Sequence, residues 1–231
     1  AATQGWIGYM IQQSLQNALA RHGVRREVVS VVTQVVADTD APETREPRKF
    51  IGRALDDEAA ERLRRAGWTV ARDDRGVWRR VVPSPEPLEI VEREVIRALV
   101  AQDVIVVAAG GGGAPVYRHP TLGWEGIDAV VDKDRAAAIL ARDIGARVLL
   151  ILTDVDGVYR GFGTPRAERI PRLTVAEAQA LVEGGAVGAG TMRPKLEAAI
   201  RFLRDGGERA VIARLDRGWE ALRGETGTEI R

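Results

Sequence analysis

The 231-residue chain is long enough for one large core or two small ones, and its 45% hydrophobic and 29% charged residues are typical of globular proteins. A net charge of +1 gives no reason to expect nucleic acid or a membrane surface as a partner. Zero cysteines exclude disulfides and thiolate metal sites, and two histidines are too few for a histidine metal cluster. No apolar run approaches the roughly 20 residues of a membrane span, and AATQGWIGYM is not a signal-peptide pattern. We therefore expect a cytoplasmic protein.

The first half of the chain mixes helical and extended patterns. Apolar spacing and turn residues predict helices over 7–22, 56–66 and 89–102, a strand over 27–39, a proline-punctuated loop over 40–52 and a hairpin over 68–85. Residues 40–87 look like an excursion from the main fold, which we interpret as a small protruding subdomain or lid within one domain spanning 1–231.

The second half is more regular. Buried strands are predicted over 103–109 and 146–153 and a further strand over 209–213, with helices over 133–145, 174–184, 194–206 and 216–223. Continuous apolar strands that alternate with helices indicate an α/β protein with a parallel sheet covered on both faces.

A glycine run follows the strand at 103–109. Gly110, Gly111, Gly112 and Gly113 would let backbone N–H groups point into one concavity, as a phosphate cradle requires. A flexible tight turn is an equally good interpretation of the run alone. The pattern matches neither a P-loop nor a dinucleotide-binding loop.

Polar residues leave the next buried strand together. Thr153, Asp154, Asp156 and Tyr159 supply a hydroxyl, two carboxylates and a ring, which suit ribose or purine contacts. The alternative is an ordinary turn built on Asp156 and Gly157.

The chain contains only three lysines, Lys49, Lys133 and Lys195, against thirty-one arginines. An ordinary basic surface position in this chain is therefore arginine, and a retained lysine indicates a specific need. Lysine is a compact charge on a flexible stem, which suits a cation that follows a moving phosphoryl group. Asp134 could hold such an ammonium and Asp132 could cap the helix, although chance retention of three lysines is the alternative.

Several segments in order resemble the carbamate kinases of the amino acid kinase superfamily. They are TQGWIGYMIQQ, TQVVADTDAP with EPRKFIG, WRRVVPSPEP, VVAAGGGGAPV, DAVVDKDRAAAIL, LLILTDVDGVY, GAGTMRPKLEAAIRFL and GTEI. The resemblance implies a three-layer αβα sandwich with a mainly parallel central sheet and a protruding subdomain. It implies Mg²⁺-dependent phosphoryl exchange between ATP and carbamate, giving ADP and carbamoyl phosphate, commonly in arginine metabolism, and a homodimer.

The matching motifs also imply roles for individual residues. Lys133 and Lys195 would be the catalytic, phosphate-binding lysines, oriented by Asp134. One of Arg79 and Arg80 would meet the substrate, and Lys49 would have a structural or lid-related role. Gly110, Gly111, Gly112 and Gly113 would line the carbamoyl phosphate pocket. The nucleotide would be held by Thr153, Asp154, Val155, Tyr159, Gly190, Met192 and Pro194. No residue is assigned as a metal ligand.

The sequence departs from the family pattern at the start of the chain. The family begins with a strand and a Gly-Gly-Asn loop, whereas the match here begins inside a helix, so we expect N-terminal elements to be missing and activity to be impaired. Two alternatives stay open, a catalytically inactive nucleotide-binding or assembly remnant and another phosphotransferase of the superfamily. The segments VVPSPEP and PRKFIG argue against the second.

Overall fold

A computed structural model describes residues 1–73, 75–185, 187 and 192–231. Within these ranges the helices are α1 (Ala2–Arg21), α2 (Pro42–Arg45), α3 (Asp57–Arg65), α4 (Arg93–Ala101), α5 (Lys133–Asp143), α6 (Val175–Glu183), α7 (Met192–Arg204) and α8 (Gly218–Leu222). The strands of the first half are β1 (Val28–Ser30), β2 (Gln34–Ala37), β3 (Lys49–Leu55), β4 (Val70–Arg72), β5 (Trp78–Val82), β6 (Pro87–Ile90) and β7 (Ile105–Val107). Those of the second half are β8 (Ala114–His119), β9 (Gly123–Gly126), β10 (Val148–Thr153), β11 (Val158–Arg160), β12 (Glu168–Ile170), β13 (Arg172–Leu173), β14 (Arg209–Arg214) and β15 (Thr228–Ile230).

The two four-stranded sheets are mixed and contain both parallel and antiparallel pairs. One sheet has the order β10-β14-β15-β13, a second the order β6-β2-β8-β9, and β1 pairs with β7. The pairs β10–β14, β2–β8, β1–β7 and β13–β15 are parallel, and the others in these sheets are antiparallel. The α/β prediction is confirmed. None of the helices in the described ranges is long and apolar enough to span a membrane.

The largest core cluster lies between the helices α5 to α7 and the sheet that contains β10 and β14. Leu196, Ala199 and Phe202 of α7 and Ile212 of β14 are almost fully buried there. A second cluster joins Ile139 of α5 to the sheet of β2 and β6. Helix α5 therefore contributes to both cores, and its first turn is anchored between them.

Residues 49–82 form a separate antiparallel sheet. Its strand order is β3-β5-β4, and α3 connects β3 to β4. The predicted hairpin over 68–85 is confirmed by β4 and β5. The predicted loop over 40–52 was wrong in two places, because Pro42–Arg45 form α2 and because Lys49 already begins β3 and pairs with Val82.

Other segments also differ from the prediction. The stretch 27–39 forms two strands, β1 and β2, because the chain changes sheets around the buried Thr33. The region 89–102 begins as the end of β6 and becomes helical only at Arg93. In these two segments, pairing with a distant strand overrides local periodicity. The hairpins β8–β9 and β11–β12 and the short strands β13 and β15 were not predicted.

Candidate active site

The largest cleft lies between the β3–β5 sheet and the starts of α5 and α7, with a volume of about 770 Å³. Its described lining is mainly charged, with six basic and five acidic side chains. The lining residues are Glu43, Arg48, Lys49, Phe50, Asp73, Arg75, Arg79, Ser84, Glu86, Asp132, Lys133, Asp134, Arg135 and Pro194. A cleft with so many paired charges suits a polar, anionic ligand better than an apolar one.

Asp132 fixes the start of α5. Its carboxylate accepts hydrogen bonds from the backbone N–H groups of Asp134 and Arg135, at 2.9 and 3.4 Å, which is helix capping. Lys49 Nζ donates to Asp132 Oδ2 at 2.9 Å and so ties β3 to this cap. Burial raises the pKa of Asp132, but the hydrogen bond and charge of Lys49 and the two backbone donors outweigh it. The pKa lies below its ordinary value.

Asp134 brings the two predicted catalytic lysines together. Lys195 Nζ donates to Asp134 Oδ2 at 2.9 Å, and Lys133 Nζ approaches the same oxygen at 3.3 Å. The environments of the lysines differ, because the Lys195 side chain is 5% exposed and that of Lys133 is 62% exposed. One ammonium is thus held inside the protein, and the other is largely exposed in the cleft, close to the same carboxylate.

The glycine run packs directly behind the start of α5. A Cβ on Gly112 would lie 2.2 Å from the backbone oxygen of Val131, and one on Gly113 would lie 2.2 Å from the side chain of Val35. Gly111, Gly112 and Gly113 all have positive φ, so the tight-turn interpretation describes their backbone. The described lining of the cleft does not include Gly110 or its three neighbours.

Thr33 holds both ends of this glycine turn and was not singled out from the sequence. Its Oγ1 accepts from the N–H of Ala109 at 2.8 Å, and its carbonyl accepts from the N–H of Ala114 at 2.9 Å. The side chain of Gln4 pairs with the backbone N–H and C=O of Thr33, both at 3.1 Å. A polar Thr-Gln pair inside an otherwise mostly apolar, β-branched run was the available signal.

The register of β5 separates the two candidate arginines. Arg79 lines the cleft, donates to the carbonyl of Gly52 at 2.8 Å and lies 3.9 Å from Asp73. Arg80 points to the opposite face, because side chains alternate along a strand, and its guanidinium stacks 3.6 Å from the centre of the Trp68 ring. Of the two, Arg79 is the one placed to meet a ligand.

A second pocket of about 310 Å³ follows β10. Its lining contains the predicted Asp154, Val155 and Tyr159, together with Asp156, Phe162, Arg214, Arg217 and Thr226. Tyr159 donates to Asp156 at 2.7 Å, and this hydrogen bond, together with partial burial, raises the pKa of the phenol. The pocket combines a flat ring, carboxylates and two guanidinium groups, which suits a nucleotide.

The other residues that were predicted to bind the nucleotide do not line this pocket. Thr153 donates to Asp154 at 3.0 Å beside the pocket, Met192 packs against the large core, and Pro194 lines the large cleft. Gly190 lies outside the described residues. Among the described lining residues, none is shared by the cleft and the pocket.

In comparisons with known proteins, the chain matches one protein family over most of its length. Residues 15–214 match the sequence profile of the amino acid kinase family. The carbamate kinase of Pyrococcus furiosus is 46% identical over 231 residues, which are all of this chain and 73% of that protein. The carbamate kinase of Giardia lamblia bound to citric acid superposes with a TM-score of 0.90 at 37% identity, over 100% of this chain and 73% of that one.

A second structure of the Giardia lamblia carbamate kinase is bound to AMP-PNP. It superposes with a TM-score of 0.88 at 36% identity, again over 100% of this chain and 73% of that chain. The identities exceed what a shared fold alone requires, and the matched region includes both the cleft and the second pocket. The chain therefore belongs to the amino acid kinase family, and within it to the carbamate kinases.

Proposed function

We propose that this chain transfers a phosphoryl group reversibly between ATP and carbamate, giving ADP and carbamoyl phosphate. The observation that carries the proposal is the approach of two lysine ammonium groups to one oxygen of Asp134 at the edge of the large cleft. Family membership indicates the reaction, and this cluster supplies the cations that the reaction requires.

The proposed step breaks one phosphorus–oxygen bond and forms another. A carbamate oxygen attacks the γ-phosphorus of ATP while the bond to the β-phosphate oxygen breaks, and ADP leaves with that electron pair. The transition state carries dispersed negative charge on its equatorial oxygens. Lys133 and Lys195 would stabilise that charge, and Asp134 would orient both ammonium groups through its contacts with them.

Arg79 is the proposed substrate-side cation. It enters the cleft from β5, opposite the starts of α5 and α7. A guanidinium can donate two parallel hydrogen bonds to a carboxylate or phosphate, which would orient carbamate or carbamoyl phosphate for in-line transfer. The sheet of β3, β5 and β4 would then act as the protruding subdomain proposed for residues 40–87.

The nucleotide would occupy the second pocket. Tyr159 and Phe162 lie there with ring centres 5.8 Å apart and offer apolar surface to a base, while Arg214 and Arg217 offer charge. We assign Asp154, Val155 and Tyr159 to this role by their positions in the pocket lining. The proposal for Gly190 rests on the sequence motif alone.

Mg²⁺ would enter with the nucleotide and offset charge on the phosphate oxygens. The described residues contain no cluster of three potential metal-ligating side chains. Asp132 and Asp134 are each already paired with lysine. The donor set therefore fits an ion held mainly by phosphate oxygens and water, with protein carboxylates in a supporting role.

Three further parts of the proposal rest on the family resemblance alone. These are a homodimer, a cytoplasmic location and a place in the breakdown of arginine or other carbamoyl compounds. Sedimentation velocity on the purified protein tests the first.

A coupled assay for ATP tests the reaction. ADP, Mg²⁺ and carbamoyl phosphate should yield ATP with the purified chain, and the Lys133→Ala variant should yield far less. If the chain forms no more ATP than this variant, the proposed reaction is wrong for it. Calorimetric titration with Mg-ADP is the companion measurement, since binding without turnover would instead identify a nucleotide-binding protein.

A further inference from the structure

Two parallel ion pairs join α5 to α7 beside the lysine cluster. The first is Lys195 to Asp134 at 2.9 Å, and the second is Arg135 Nη2 to Glu197 Oε2 at 2.9 Å. Asp134 and Arg135 are neighbours on α5, and their partners lie two residues apart on α7. The two ion pairs run in opposite directions, because α5 supplies the anion of one pair and the cation of the other.

Arg135 also reaches across to the segment that follows β5. Its Nη1 contacts Glu86 Oε1, and the other carboxylate oxygen of Glu86 lies 3.4 Å from Arg201 Nη1 on α7. Glu86 lies four residues beyond the end of the strand that carries Arg79. One guanidinium therefore contacts both helix α7 and the segment that leads out of the β3–β5 sheet.

The charges of this cluster are held in place by their mutual contacts. Burial raises the pKa of Glu197, but hydrogen bonds from Arg193 and Arg135 and the charges of both arginines outweigh it, and the pKa lies below its ordinary value. The Arg135 and Glu197 side chains are each 27% exposed, so the pair is neither a free surface contact nor fully buried. A lysine at position 135 could not reproduce the contacts with both Glu197 and Glu86, because its single ammonium lacks the planar fork of a guanidinium.

We propose that Arg135 is a positioning residue for phosphoryl transfer. It acts through Glu197 and Glu86 to hold the start of α7, and with it the Lys195 ammonium, at a fixed distance from Asp134 and from the wall that carries Arg79. Arg135 need not contact the reacting phosphoryl group in this role. The inference rests on the proposed function for its catalytic consequence, but its structural part does not depend on turnover.

The catalytic consequence is tested with Arg135→Met and Arg135→Lys, with Arg97→Met as the control. Arg97 lies on α4 and pairs only with Glu94 among the described contacts, and both side chains are more than half exposed. Since a misplacement of about 1 Å can cost on the order of a hundredfold in rate, we expect Arg135→Met to lower kcat about tenfold or more. KM for ADP should change by less than about twofold, because the second pocket does not include Arg135. Arg135→Lys should recover only part of kcat.

The structural consequence is tested by competitive amine labelling and mass spectrometry. The chain has only three lysines, so each gives a separate signal. Lys195 should be protected in the unaltered protein and in Arg97→Met, and its labelling relative to Lys49 should rise severalfold in Arg135→Met.

Unchanged protection of Lys195 in a folded Arg135→Met protein would overturn the inference, whether or not the chain forms ATP. Unchanged kcat in that variant would overturn it for an active chain. Absence of ATP formation by the unaltered chain would instead count against the proposed function.

Discussion

Replacing Asp134 by asparagine removes the carboxylate shared by Lys133 and Lys195. The Lys195 and Asp134 side chains are 5% and 9% exposed and their charged atoms lie 2.9 Å apart. At an effective dielectric constant of about 20 their attraction is about 6 kcal/mol. Breaking such a buried pair from one side costs about 3–5 kcal/mol, because one charge stays buried without its partner. Lys133 adds less than about 1 kcal/mol, since it is mostly exposed.

We therefore expect Asp134→Asn to lower the free energy of unfolding by about 3 kcal/mol or more. For a urea slope of roughly 2 kcal/mol/M, the unfolding midpoint should fall by roughly 1.5 M. Urea titration followed by circular dichroism measures this shift, and the coupled ATP assay should show a loss of at least about a hundredfold in kcat.

Two further variants make the result interpretable. Asp128→Asn is the matched control, because Asp128 is 81% exposed and has only a 3.8 Å contact with Arg80. It should change stability by no more than about 0.5 kcal/mol. The double variant Asp134→Asn with Lys195→Met should be more stable than Asp134→Asn alone, since no buried charge is left unpaired. An Asp134→Asn protein with the wild-type midpoint would refute the reasoning.

Three other predictions concern the surroundings of the cluster. Gly112→Ala should destabilise the protein far more than Gly111→Ala, although both glycines have positive φ. A Cβ would lie 2.2 Å from a backbone oxygen at position 112, whereas it would meet open space at position 111. Equal urea midpoints for the two variants would contradict this. Because the pKa of Asp132 is held below its ordinary value of 3.8, its ion pair stabilises the fold above about pH 4 and is lost as the pH falls through the lowered pKa. The free energy of unfolding of Asp132→Asn should therefore fall less between pH 5 and pH 3 than that of the unaltered protein, and parallel curves would exclude the pair as a source of acid sensitivity. Arg79→Ala should raise KM for carbamoyl phosphate about tenfold or more while Arg80→Ala leaves it within about twofold, and steady-state kinetics with the opposite ranking would reverse the assignment.

The sequence was informative where a residue type was unexpected in its context. The scarcity of lysine singled out Lys133 and Lys195, which the structure places on either side of Asp134. The capping role of Asp132 also followed from its position before an apolar-periodic segment, and the structure confirms it. Both inferences depend on residue types and on their positions next to a local element, and these can be read directly from composition and periodicity.

Other features depend on contacts between distant parts of the chain. Lys49 meets Asp132 across 83 residues, and Arg135 meets Glu197 across 62. No local pattern encodes either partner. Arg79 could be separated from Arg80 only when the strand register was known, because a shift of one residue exchanges the two faces. The change of sheet around Thr33 was missed because β-branched residues continue on both sides of it.

The buried position of Lys195 has a consequence for the timing of desolvation. An ammonium in water must shed hydrating molecules before it can contact a phosphoryl oxygen closely. Lys195 has already lost most of that hydration when the chain folds, since only 4% of the residue is accessible to solvent. A transferring group would therefore meet a dry cation whose reorganisation is complete, and Asp134 is what makes such a cation tolerable in the protein interior. In the proposed reaction, folding would carry out in advance a step that otherwise falls within each catalytic cycle.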